Sequence, residues 1–124
     1  MKFNEHLNQV ALFSWAALYV SQYPALKNIF SIPNGGHRHI SVAKKLKAEG
    51  VRAGVPDIFL AQPNSEYAGL FIEMKSEKGT ISDAQAEWLE RLETARYRCE
   101  VCYSWTAAAN IIIDYLNLPI EKVR

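Results

Sequence analysis

Gly54-Val55-Pro56-Asp57-Ile58-Phe59-Leu60-Ala61 is followed, after a polar stretch from Gln62 to Tyr67, by Ala68-Gly69-Leu70-Phe71-Ile72-Glu73-Met74-Lys75. Both runs are rich in aliphatic and aromatic residues, and the polar stretch between them reads as a turn, which predicts a β-hairpin. Side chains alternate faces along a strand, so Glu73 and Lys75 point one way while Leu70, Ile72 and Met74 point the other. Asp57 opens the first strand 16 positions before Glu73. A hairpin of this length can bring the two carboxylates together, with Lys75 beside them.

Two like charges in a partly buried site repel unless a proton or a cation sits between them. A divalent cation is the simpler answer. Oxygen ligands without a nearby histidine or cysteine favour a hard ion, Mg²⁺ or Mn²⁺, and such ions are commonly held by one or two carboxylates, waters and substrate phosphate. The implied substrate is therefore a phosphodiester, with Asp57 and Glu73 as ligands and Lys75 placed to orient a water and offset charge on the phosphate. Taken alone, Glu-x-Lys is more simply the solvated edge of a two-faced strand, and Asp57 the end of a turn.

The chain on either side of the hairpin reads as alternating elements. Asn4 to Gln22 is a helix stopped near Pro24, with Phe3, Leu7, Val10, Ser14 and Leu18 at helical spacing and Phe13 and Trp15 widening the apolar side. Its core, Val10 to Val20, reads as a buried helix and not as a leader or membrane span, because Glu5 precedes it and the run is far short of about 20 apolar residues. Asn28 to Pro33 is a short strand entering the Asn34-Gly35-Gly36 turn, and His39 to Glu49 a lysine-rich helix with Gly50 as its left-handed cap. Ser82-Asp83-Ala84-Gln85 has the pattern of a capping box opening a helix to about Arg96. Arg98 to Tyr103 is a strand, and Thr106 to Leu118 a final apolar helix stopped by Pro119. The order α, β, α, β, β, α, β, α gives a mixed sheet flanked by helices.

The 124 residues fit a single domain spanning 1–124, and 49% apolar with 22% charged residues excludes disorder. A net charge of +1 excludes a uniformly cationic protein but not a basic patch. Arg38, Lys44, Lys45, Lys47 and Arg52 face only Glu49 in charge between residues 37 and 52, which suits contact with a phosphate backbone or a solvated lysine face. Cys99 and Cys102 form no disulfide framework; on a strand their spacing sends the sulfurs to opposite faces, and the pair favours a reducing compartment. His37 and His39 suit phosphate contact or exposure, and His6 the surface. Trp15, Trp88 and Trp105 suit the core or an interface.

Taken together, Gly54-Val55-Pro56-Asp57 and Ile72-Glu73-Met74-Lys75 resemble the PD-(D/E)XK nuclease superfamily. With Glu5-x-x-x-Gln9, Ile32-Pro33-Asn34-Gly35-Gly36 and Ser82-x-x-Gln85-x-x-Trp88, the resemblance narrows to the VRR-NUC, or virus-type replication-repair nuclease, family and covers Glu5 to about Tyr103. It implies an α/β, restriction-endonuclease-like fold and a metal-dependent endonuclease. Asp57 and Glu73 would bind metal, joined by Glu5 and the Met74 carbonyl, and Lys75 would assist catalysis. Gln85 would either cap its helix or reach the water or phosphate. Asn34, Gly35, Gly36, Arg38, Lys44, Lys45 and Arg52 are the expected nucleic-acid contacts.

Stand-alone members of the resembled family are largely phage- and bacteria-encoded and are associated with branched DNA, including four-way (Holliday) junctions in DNA repair, as homodimers. That implies an intracellular, cytoplasmic setting with no membrane role. The alternatives are a flap- or duplex-specific nuclease of the same fold, or a DNA-binding module without turnover. The last helix, with Ile111, Ile112, Ile113, Tyr115 and Leu116, either contributes to a dimer interface or closes the sheet.

Overall fold

In a computed structural model, the described residues, 4–33 and 39–120, form four α-helices and a four-stranded sheet. Helix α1 is Glu5–Tyr19, followed by a 3₁₀ turn at Pro24–Asn28 and strand β1 at Ile29–Ser31. Helix α2 is Ile40–Ala48, and strands β2 and β3 are Ile58–Leu60 and Leu70–Met74. Helix α3, Asp83–Thr94, crosses over to β4, Arg98–Cys102, and α4 is Trp105–Leu116. The predicted α/β order is thus the observed one.

The strands lie in the order β1-β2-β3-β4. β1 and β2 pair antiparallel, as do β2 and β3, whereas β4 runs parallel to β3. Only a parallel neighbour needs a long crossover, and α3 supplies it. One face of the sheet carries Ile58, Leu60, Leu70, Ile72, Met74 and Cys102, nearly all fully buried with Leu12 and Ala16 of α1 and Ala108, Ala109, Ile112 and Tyr115 of α4. Phe59 and Phe71 stack on the other face with ring centroids 4.3 Å apart, and Tyr97 meets Phe71 edge-on at 5.2 Å.

Several local signals act as their residues require. Gly50 takes φ +103° after α2; its N–H bonds to the Lys47 carbonyl and that of Val51 to the Leu46 carbonyl. These paired bonds are the Schellman ending, which needs a left-handed residue at that position. Ser82 and Gln85 form both bonds of a capping box. Cys102 is 1% exposed on the core face and Cys99 half-buried on the other, both free, with burial first pushing their thiols up to about 11 and about 12 respectively.

The first helix departs from expectation. The stripe read as its buried side is largely exposed: Leu7 is 37%, Val10 49% and Leu18 78% accessible, and Ser14 is exposed too. Phe3 lies outside the described residues. Because α1 is apolar nearly all round, periodicity selects no face. The buried side is Asn8, Leu12 and Ala16. Asn8 accepts from the backbone N–H of Trp105 at 2.9 Å, tying α1 to the first turn of α4, and the small Ala16, Ala108 and Ala109 permit close packing. On α4, Ile112 and Tyr115 are fully buried, so that side of the last helix closes the sheet.

Candidate active site

The hairpin register decides which acids meet. Ile58 pairs with Ile72 across β2 and β3, so one residue further out Asp57 stands opposite Glu73. The Asp57 carboxylate accepts the backbone N–H of Met74 at 2.9 Å, and its carbonyl accepts that of Ile32 at 2.6 Å. Beyond β3, the Lys75 N–H donates to the Cys102 carbonyl at 2.9 Å. Backbone bonds from three neighbouring segments therefore fix both halves of the acid pair.

Glu73 is only 3% exposed. Its carboxyl is pushed up from 4.5 to about 9, first by burial, then by a hydrogen bond to Asp57 and the charges of Asp57 and Glu5, with Lys75 pulling the other way. Without a cation, Glu73 keeps its proton, because its charged form is buried beside another acid.

The turn before Asp57 is held from the other side of the sheet. Gly54 takes φ +89°, and a Cβ there would lie 2.7 to 2.9 Å from Ala84 in the first turn of α3. Only glycine fits both constraints. The Trp88 indole N–H donates to the Ala53 carbonyl at 3.1 Å, and Arg91 lies 4.3 Å above the indole ring. Ser82-x-x-Gln85-x-x-Trp88 thus starts α3 and pins it to the Asp57 turn. The side-chain oxygen of Gln85 accepts the Ser82 N–H at 2.9 Å, so that oxygen serves the cap. Sequence reasoning placed Trp88 only in the core or an interface; this reach across 35 positions has no local signal.

Helix α1 closes the third side. Glu5 and Gln9, four apart and so on one helical face, line a cleft of about 630 Å³ with Asp57, Ser31, Val10 and Phe13. His6, read as a surface residue, is exposed and lines the same cleft. Glu5 acts on Glu73 through its charge; among the described residues no three His, Cys, Asp or Glu side chains gather into one preformed metal cluster.

Lys44 and Lys45 are exposed on α2, which buries no residue, and Arg52 follows it, donating to the Lys47 carbonyl at 3.3 Å. His39 caps α2, accepting the Ser41 N–H through Nδ1 at 3.3 Å. Asn34, Gly35, Gly36, His37 and Arg38 lie outside the described residues.

The sequence model of the VRR-NUC domain matches residues 3–105, which take in α1, the whole sheet and the first residue of α4. The chain belongs to the VRR-NUC family. A solved structure described as a VRR-NUC domain protein superimposes with a TM-score of 0.82 at 25% identity, covering 98% of this chain and 95% of the other. No curated protein matches the sequence. VRR-NUC domains are nucleases of the PD-(D/E)XK superfamily, and membership implies nuclease activity and DNA binding. The mixed sheet agrees with that fold.

The acid pair of this VRR-NUC domain fits a hard divalent ion. Its donors are all oxygens, it is short of positive charge, and the proton that Glu73 retains is what a dication would displace.

Proposed function

We propose that this VRR-NUC domain is a Mg²⁺- or Mn²⁺-dependent endonuclease that hydrolyses phosphodiester bonds in DNA, with Asp57 and Glu73 as the metal-binding pair. The observation that carries the reading is the buried Glu73 carboxyl set opposite Asp57 at the end of the hairpin. When bound, the ion supplies a Lewis acid and a water of lowered pKa.

The remaining work falls to the chain. The Met74 N–H fixes one Asp57 oxygen, leaving the other for the ion. Burial keeps Glu73 short of water, which strengthens its attraction for a cation. Lys75, close enough to act on Glu73, orients the attacking water and offsets charge on the phosphate. Glu5 and the Met74 carbonyl would complete the ligand set, and Gln85, whose oxygen serves its cap, would reach the water or phosphate through the rest of its amide.

Lys44, Lys45 and Arg52 hold the DNA backbone, together with Asn34, Gly35, Gly36 and Arg38, through sequence-independent phosphate contacts. The preferred substrate is branched DNA such as a four-way junction. Paired cuts in a symmetric junction need two sites, and the described residues offer one acid pair, which supports a two-fold homodimer. The two free thiols support a reducing, intracellular setting. Among the described residues no helix is long and apolar enough to cross a membrane.

The test is direct. Asp57→Ala and Glu73→Ala lower Mg²⁺-dependent cleavage by roughly a thousandfold or more, while both variants still bind DNA in Ca²⁺. Undiminished cutting by either variant overturns the assignment, and equal rates on junction, flap and linear duplex overturn the branched preference.

A further inference from the structure

The cleft between α1 and the acid pair contains more than the metal chemistry needs. Of its lining residues, Val10, Phe13 and Ala17 are apolar, whereas Gln9, Ser14 and Ser31 carry neutral hydrogen-bonding groups. Two acids, Glu5 and Asp57, stand at its end, and no lysine or arginine is among the residues found to line it. Away from the acid pair and His6, such a lining offers an anionic sugar-phosphate backbone no lysine or arginine to hold it, so it favours an uncharged group. A flat, uncharged heteroaromatic group fits: apolar walls accept its faces and neutral polar groups its edge. The volume of about 630 Å³ lies within the range of small-molecule sites. Val10 and Ala17 are both exposed, so among the described residues this part of the apolar wall stays open to solvent.

We propose that this cleft receives an unstacked nucleobase from the nucleotide adjoining the scissile phosphate, a reading that rests on the nuclease assignment above. Asp57 is the argument from continuity: it belongs to the acid pair that would sit at the phosphate and to the wall of the cleft, so whatever hangs from the neighbouring sugar reaches the cleft first. Taking a base out of the stack costs least where it is already unpaired, at a branch point, a bulge or a frayed end. The cleft thereby supplies a physical source for branch preference that requires no reading of sequence.

The experiment steps a single abasic nucleotide, one position at a time, across the cut site of a cleavable junction, and measures KM and kcat in Mg²⁺ for the wild type and for Ala17→Trp, which fills the cleft from the exposed side of α1. At one position the missing base raises the wild-type KM by about tenfold, the scale of one lost base–aromatic stack, with kcat little changed. Ala17→Trp raises KM on the intact junction by a similar factor and erases the abasic penalty. Val10→Ser, a smaller change checked by its melting curve, moves KM in the same direction. If the wild type cuts but no abasic position matters, or Ala17→Trp cuts like the wild type, the base site is overturned and the nuclease reading stands. If Ala17→Trp instead splits a wild-type dimer in sedimentation, the cleft is a contact between copies and the base site is likewise overturned. A wild type that cuts no DNA removes both readings.

Discussion

Asn64 and Glu73 are both buried polar residues flanking the same hairpin, at 7% and 3% exposure, and they have opposite fates. Asn64 donates to the Tyr115 carbonyl at 3.1 Å and accepts the N–H groups of Glu66 and Tyr67 at 2.9 and 2.8 Å, while the Tyr115 hydroxyl donates to the Gln62 carbonyl at 2.6 Å. Both ends of its amide are satisfied by backbone, so burial costs little and the turn is locked onto α4. Glu73 meets another acid and keeps its proton to about 9. Buried polarity answered by backbone builds the fold, whereas buried polarity answered by like charge waits for a ligand.

Replacing each residue breaks the comparison in a different way. Glu73→Gln keeps the shape and removes the ligand: cleavage falls by roughly a thousandfold or more, yet the metal-free variant melts no lower than the wild type. A clearly lower melting temperature would place Glu73 with Asn64 as a structural residue. Asn64→Ala strands the Tyr115 carbonyl and two N–H groups and lowers unfolding free energy by about 3 kcal/mol, read by urea titration. Its kcat stays unchanged where the protein is folded.

A pH series sharpens the contrast. Glu73 holds its proton to about 9 in the fold but only to 4.5 in the unfolded chain, so its contribution to metal-free stability is fully present below pH 4.5 and is lost as pH climbs toward 9. Melting curves in chelator fall over that window in the wild type and less in Glu73→Gln. Since a dication needs the deprotonated pair, the stabilisation given by Mn²⁺ grows with pH over the same range. The smallest effect belongs to Gln85→Ala, which removes half of a capping box and costs about 1 kcal/mol. An unchanged kcat then assigns Gln85 to the cap, and a large drop assigns its amide to the chemistry.

The hairpin and its acids were legible because strand alternation and turn composition are local, and Gly50 and the Ser82–Gln85 box because caps are written within one turn of helix. The buried face of α1 was not: its residues are apolar on all sides, and Asn8, the polar member of the buried set, is chosen by Trp105, 97 positions away. Asn64 looked like ordinary turn polarity until α4 came to rest on it. Trp88 and Gly54 carried part of the motif, but the mutual contact of α3 with the Asp57 turn exists only in three dimensions.

The β2–β3 pairing spans the shortest stretch of chain of any in the sheet, and it is the one that sets Asp57 against Glu73. Contacts between near neighbours in sequence form early during folding, since little loop entropy opposes them. Closing this hairpin in a metal-free, alkaline medium therefore drives two anions together before the α3 crossover has brought β4 into place. If the proposed divalent ion is the one this pair binds, it would also relieve that early repulsion.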